Sequence, residues 1–163
     1  MTNRKYWLAL FTGTTWQEFL DAGASIYGVN HRYKSMASRT KPGDYLICYV
    51  AGISRFIGLL EIVSPSYWDT TSIWTFDIYP VRLKVRVVLN LLPETAVPVK
   101  ELITGLSSFR NMKHSSSWAM FFRQPFREWQ TSDAETIVKV LKKAKQHPIL
   151  RSVLASQLAK EPQ

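Results

Sequence analysis

This sequence is short of what several protein classes require. It has a single cysteine, Cys48, inside "YLICYV"; no intramolecular disulfide can form, and the apolar setting marks a buried thiol. No apolar run reaches the length of a membrane span, and "MTNRKYW" lacks the apolar stretch of a signal peptide, which together point to the cytosol and away from a membrane partner. The three histidines, His31, His114 and His147, are far apart and carry no metal-site spacing. Acids are scarce too. The twelve Asp and Glu are scattered rather than clustered as a Mg²⁺-dependent nuclease needs, and only Glu61 falls mid-strand. Ser115-Ser116-Ser117 beside His114 lacks the Gly-x-Ser-x-Gly elbow that would arm a nucleophile. These shortages predict a protein without catalytic residues, metal or cofactor.

Bases and aromatics are abundant. Twenty-one Lys and Arg give a net charge of +9, a surface that attracts phosphate polyanions. Apolar residues make up 46% and aromatics 13% of 163 residues, enough for one domain with its own core. No repeat or linker divides the chain. Residues 1–147 are predicted as a single domain and residues 148–163 as a loose amphipathic C-terminal extension.

Local patterns order the elements. "KYWLALFT", Lys5 to Thr12, predicts a strand, and Thr15-x-x-Glu18 predicts a capping box opening a helix with Trp16, Phe19 and Leu20 inward, stopped at Gly23. A short helical segment placing Tyr33, Met36 and Ala37 on one face follows the Tyr27-Gly28-Val29 turn. Lys41-Pro42-Gly43-Asp44 turns the chain into a strand at Tyr45–Val50, which pairs with Phe56–Val63. Ser64 to Pro80 holds five aromatics and few charges and predicts a long surface loop. In the next strand Val81, Leu83, Val85 and Val87 alternate with Arg82, Lys84 and Arg86, which predicts an apolar face and a basic face, the latter either a third group of cations toward phosphate or a solvated sheet surface protected by charge. Pro98 opens a helix with Leu102 and Leu106 inward. A basic loop, "SSFRNMKHSSSWAMFF", leads to a last helix capped by Ser132-x-x-Glu135, with Ile137, Val138, Leu141 and Ala144 inward. The order predicts a small α+β domain, a curved or closed mixed sheet with helices on its flanks.

Trp7, Trp16 and Trp129 read as core. Trp68 and Trp74, separated by Asp69-Thr70-Thr71-Ser72, read instead as surface-loop aromatics suited to stack on bases. Converging aromatics would also make a cage for a methylated or electron-poor group. Arg32 and Lys34 follow Tyr27, and Arg110, Lys113 and His114 lie in the second basic loop. Both groups sit among Asn and Ser, the chemistry that positions a phosphate backbone.

From the aromatic-Trp first strand through the Lys-Pro-Gly-Asp turn to the Gly-containing strand at Phe56–Val63, with the late "KHSSSWAMFF", the chain resembles the EVE domain of the PUA-like superfamily over roughly residues 5 to 144. The resemblance implies a curved or barrel-like mixed β-sheet flanked by helices, with a pocket at one end, related in fold to the YTH readers of N6-methyladenosine. It implies recognition of a modified base in DNA or RNA and a restriction or RNA-processing effector as partner. It places Tyr27 at a cage wall where the family usually has Trp. Trp74 and Trp68 fall in the loop of a second wall, and Ile78 at a third. Thr12, Thr14, Gly28 and Asn30 fall near the base edge, with Arg32, Lys34, Arg110, Lys113 and His114 toward phosphate. Two departures are visible: Tyr27 adds a hydroxyl and less stacking area, and "TGTT" replaces the Asn residues that the RNA readers carry after their first strand. The short loops at Ala51–Arg55 and after Trp74 imply an open pocket. The resulting expectation is a non-catalytic binder of methylated or hydroxymethylated cytosine, or of N6-methyladenine. The alternatives are a PUA-like tRNA- or rRNA-binding module indifferent to modification and a small-ligand-binding interaction domain.

Overall fold

The computed structural model describes residues 3–109 and 117–162. The apolar runs become strands β1 (Tyr6–Phe11), β2 (Ile26–Val29), β3 (Tyr45–Val50), β4 (Arg55–Ile62), β5 (Tyr67–Trp68), β6 (Val81–Asn90), β7 (Val97–Pro98) and β8 (Phe126–Glu128). Helices α1 (Gly13–Asp21), α2 (Lys34–Ala37), α3 (Thr131–Gln146) and α4 (Ala155–Leu158) lie around them. The strands form one mixed sheet in the order β2-β6-β4-β3-β1-β8, with β5 on β6 and β7 on β4. All pairings are antiparallel except β1 with β3.

The sheet curls into a half-barrel. Register shifts at Cys48/Tyr49 and Leu59/Leu60 mark irregularities of the kind that bend strands. The curl brings the two ends of the strand path together: Tyr27 of β2 and Phe126 of β8 have ring centroids 6.2 Å apart. Trp7, Leu8, Leu46, Ile47, Phe56, Leu59 and Leu60 have no exposed surface, because the sheet is covered on both faces, and α3 adds Ile137, Val138 and Leu141 to the same core. The Lys-Pro-Gly-Asp turn is tied to that core by Asp44, whose carboxylate accepts from the Trp7 indole (3.1 Å) and from the Lys5 and Lys41 N–H groups (3.0 Å each).

Several local expectations are corrected. The cap of α1 is Thr12, whose hydroxyl accepts from the Thr15 N–H (3.2 Å) while Thr15 returns the bond to the Thr12 N–H (2.8 Å). Glu18 is thereby released to accept from the Thr75 N–H across the structure. Tyr27-Gly28-Val29 is strand rather than turn, because β6 offers it a ladder from Leu83 to Val81. After Pro98 the chain makes separate tight turns in place of a helix, Val99–Glu101, Ile103–Gly105 and Ser107–Phe109. No side chain caps α3; Asp133 in its first turn reaches out to Ser107 and Ser108 instead. The basic face of β6 is not uniformly solvated. Lys84 is exposed, whereas Arg82 is wholly buried under the loop before it. The tail after Pro148 makes hydrogen bonds to the rest of the chain. Its Arg151 and Ser152 carbonyls accept from Arg55, and the Arg151 N–H donates to Glu94.

Candidate nucleic-acid interface

Parallel pairing of β1 and β3 sends both strands out of the sheet at the same end, with Phe11 level with Val50. Thr12 and Ala51 therefore emerge side by side, and β2 arrives next to them and turns at Asn30. These three exits rim a cavity of about 680 Å³, within the size range of ligand pockets. Phe11, Tyr27 and Tyr49 line its depth; Thr12, Thr15, Gly28, Asn30 and Tyr33 its near side; and Trp74, Phe76 and Tyr79 one flank. Trp118 and Phe122 line another flank. Arg32, Arg123 and Lys160 bring positive charge against Asp77 and Glu161.

The loop from Ser64 to Pro80 is held from beneath by Arg82. Its guanidinium donates to the carbonyls of Tyr79 (3.2 Å), Ile78 (3.1 Å) and Thr71, and faces Asp69 at 3.5 Å. The Asp69 carboxyl is in turn held below the ordinary range by the Thr71 N–H and hydroxyl, with Arg82 adding to the effect. The same guanidinium lies 5.6 Å from the Trp74 ring. Trp74 donates its indole N–H to the Thr15 carbonyl (3.2 Å) and meets Tyr79 edge-on with centroids 5.6 Å apart. Gly28 admits the indole: a Cβ there would lie 2.8 Å from Trp74 Cζ3 and 2.6 Å from the Tyr79 carbonyl.

Of the residues singled out in the sequence, the cavity gathers Thr12, Tyr27, Gly28, Asn30, Arg32 and Trp74. It does not gather Trp68, Ile78, Thr14 or Lys34, all of which are exposed elsewhere. Arg110, Lys113 and His114 lie outside the described residues. The surface-loop reading of Trp74 is corrected, since the ring is 5% exposed, wedged between α1, Gly28 and Arg82. Tyr27 is built into the core against Phe11 (5.4 Å), and burial pushes its phenol well above the usual range. Asn30 spends its side-chain oxygen on the Arg32 N–H at 3.1 Å. Sequence reasoning missed Arg123, Lys160 and the stacked Tyr49–Phe122 pair (3.9 Å, 8° between planes). Nothing in their local patterns signals a shared cavity. It also left Trp118 unassigned; this indole lines the cavity, and its N–H has no acceptor among the described residues. The described residues hold no cluster of three His, Cys, Asp or Glu that could bind a metal ion, and no helix among them is long and apolar enough to cross a membrane.

A curled mixed half-barrel with helices on its flanks is a fold similar to that of YTH domains. The YTH domain of Zygosaccharomyces rouxii MRB1, solved in complex with N6-methyladenosine RNA, superposes with a TM-score of 0.62 at 20% identity, covering 86% of this chain and 88% of that one. A hypothetical protein from Leishmania major gives a TM-score of 0.63 at 17% identity, over 88% of this chain and 98% of that one. The EVE domain model matches residues 5–140, and the chain belongs to the EVE domain family. A UPF0310 protein of Pyrococcus abyssi is 30% identical over 148 residues, covering 83% of this chain and 99% of that protein. Its counterpart in Pyrococcus horikoshii is 27% identical over 151 residues, covering 83% and 98%.

Proposed function

We propose that this chain is a non-catalytic nucleic-acid-binding module that accepts a modified base into the cavity at the end of its curled sheet. One observation carries the reading: a single cavity combines the exposed or half-exposed rings of Tyr33, Phe76 and Tyr79, backed by the buried Trp74 and Trp118, with the cations Arg32 and Arg123. Rings stack on bases at about 1–3 kcal/mol each, and exposed cations nearby suit the flanking phosphates. The related fold of a YTH domain bound to N6-methyladenosine RNA supports this use of the cavity.

Such a cavity takes a base only from a single strand, or flipped out of a duplex at a cost of a few kcal/mol. A methyl group is told from hydrogen by its burial, worth about 0.8 kcal/mol, and by more where aromatic walls meet an electron-poor ring. Cytosine carrying a methyl or hydroxymethyl group and N6-methyladenine are the candidate ligands.

Fluorescence polarisation at fixed salt tests this with labelled single strands of DNA and RNA carrying cytosine, 5-methylcytosine, 5-hydroxymethylcytosine, adenine or N6-methyladenine. Wild type is compared with Trp74→Leu, with melting temperatures recorded for both. Tyr27→Ala is avoided because truncating a core aromatic costs about 3–5 kcal/mol; Tyr27→Phe serves instead. The expected result is a preference for one modified base that Trp74→Leu abolishes while the protein remains folded. Equal, salt-sensitive binding of every RNA, unaltered in the variant, would replace this reading with modification-blind RNA binding.

A further inference from the structure

The chain after α3 turns back across the molecule and ends at the cavity. Arg55 clamps its start, donating to the Ser152 carbonyl (2.9 Å) and the Arg151 carbonyl (3.3 Å), and Arg151 pairs with Glu101 at 2.8 Å. Val153 and Leu158 pack on the core. Beyond α4, Lys160, Glu161 and Pro162 line the cavity mouth.

Two glycines make room for this segment. A Cβ on Gly13 would lie 2.3 Å from the Leu158 carbonyl oxygen, and one on Gly52 would lie 2.2 Å from that of Gln157. Gly52 has a φ of +94°, so its turn asks for glycine in any case. Gly13 has no such need. It opens α1, where alanine would be the better helix former by about 1 kcal/mol. What alanine could not do there is leave space for the Leu158 backbone.

We infer that the segment after Pro148 supplies a wall of the binding cavity through Lys160, Glu161 and Pro162, and that Lys160 is a ligand-contacting cation directed at a phosphate beside the bound base. This rests on the proposed nucleic-acid function. The segment bounds the cavity without filling it, since about 680 Å³ stays open with Lys160, Glu161 and Pro162 in place. That volume favours a wall over a plug. Lys160 also joins Arg32 and Arg123, so three cations from separate parts of the chain face one mouth.

The test uses the full-length chain and its Gly13→Ala, Lys160→Ala and Lys160→Glu variants. Docking is read without any ligand, as the rate of tryptic cleavage after Arg151 and Lys160 followed by intact mass. Gly13→Ala is expected to speed cleavage at least about tenfold while leaving the remaining domain protease-resistant. Binding is read with the same labelled single strands. Lys160→Ala is expected to weaken the tightest of them about tenfold and to flatten the salt dependence by about 0.7 in slope, the signature of one phosphate contact. Lys160→Glu weakens it further. Gly13→Ala matches Lys160→Ala or falls below it.

Unchanged affinity in the Lys160 variants overturns the inference, as does unchanged cleavage in Gly13→Ala. Tighter binding by Gly13→Ala would show a plug in place of a wall. If neither the full-length protein nor Gly13→Ala binds any of the strands, the nucleic-acid reading itself fails and Lys160 loses its role with it. Binding that appears only in Gly13→Ala keeps that reading and rejects the wall.

Discussion

Arg82→Met is the substitution that tests how the cavity flank is built. Methionine keeps much of the volume and apolar contact and removes the guanidinium. Three carbonyls, those of Thr71, Ile78 and Tyr79, lose their shared donor, and Asp69 loses its partner. Hydrogen bonds to a charged group are worth about 1.5–3 kcal/mol each when wholly buried. Thr71 and Ile78 are exposed, so water recovers part of that, and about 1 kcal/mol per carbonyl is a fair net figure. The half-exposed Asp69 pair adds little. The sum is about 3 kcal/mol, which for a domain of this size lowers the melting temperature by about 6–12 °C. Lysine should recover less than half, because one ammonium cannot fork to three carbonyls as a guanidinium does. Differential scanning calorimetry gives the shift, and amide exchange locates it: the amides between Tyr67 and Tyr79 should exchange faster while those of β3 and β4 hold. A melting temperature within about 2 °C of wild type, or equal rescue by Arg82→Lys, would refute the reasoning.

Gly28→Ala drives a Cβ onto Trp74 and the Tyr79 carbonyl. It should cost about 1–3 kcal/mol in chemical denaturation and weaken binding of the preferred single strand by at least about tenfold; wild-type affinity would show that the indole is no part of the site. Asp133 supplies a pH signature. Burial raises its carboxyl, but the Ser108 hydroxyl, the Ser107 and Ser108 N–H groups and the Ser107 hydroxyl together outweigh that and hold it below its ordinary 3.8. A lowered folded value means stability that is present above the ordinary value and lost as pH falls through the lowered one. Asp133→Asn should therefore destabilise by about 1–3 kcal/mol at neutral pH, and denaturation in urea should show the gap from wild type closing as pH drops below 3.8. A gap independent of pH would mean that the carboxylate charge contributes nothing.

Much of the fold was legible because it rests on local chemistry. Alternation in Val81–Leu89, the apolar run at Tyr45–Val50 and the turn residues Pro42-Gly43-Asp44 each specify an element without help from distant residues. The ordered set of such signals was enough to expect a curved mixed sheet and to recognise an EVE domain. Errors came where a distant partner overrode a local pattern. Thr15 and Glu18 fit a capping box, yet Thr12 stands one strand-exit earlier and takes the cap, leaving Glu18 for Thr75. Trp74 and Arg82 each look exposed by their neighbours in sequence, and each is buried because the other is there.

The sequence by itself determined the longer strands, the last helix, the single buried thiol, the basic balance and the family, since propensity, alternation and composition are properties of the chain. Only the tertiary structure decided which residues share a cavity. Whether Tyr27 stands in the core or at a rim depends on where β8 closes the curl, and the path from β2 to β8 runs through four other strands. Arg32, Arg123 and Lys160 lie far apart along the chain and meet only because β1 and β3 run parallel to one end and the tail returns there. Periodicity reports what a residue does within its own element. A cavity is made between elements, and its members carry no common mark until the chain has folded.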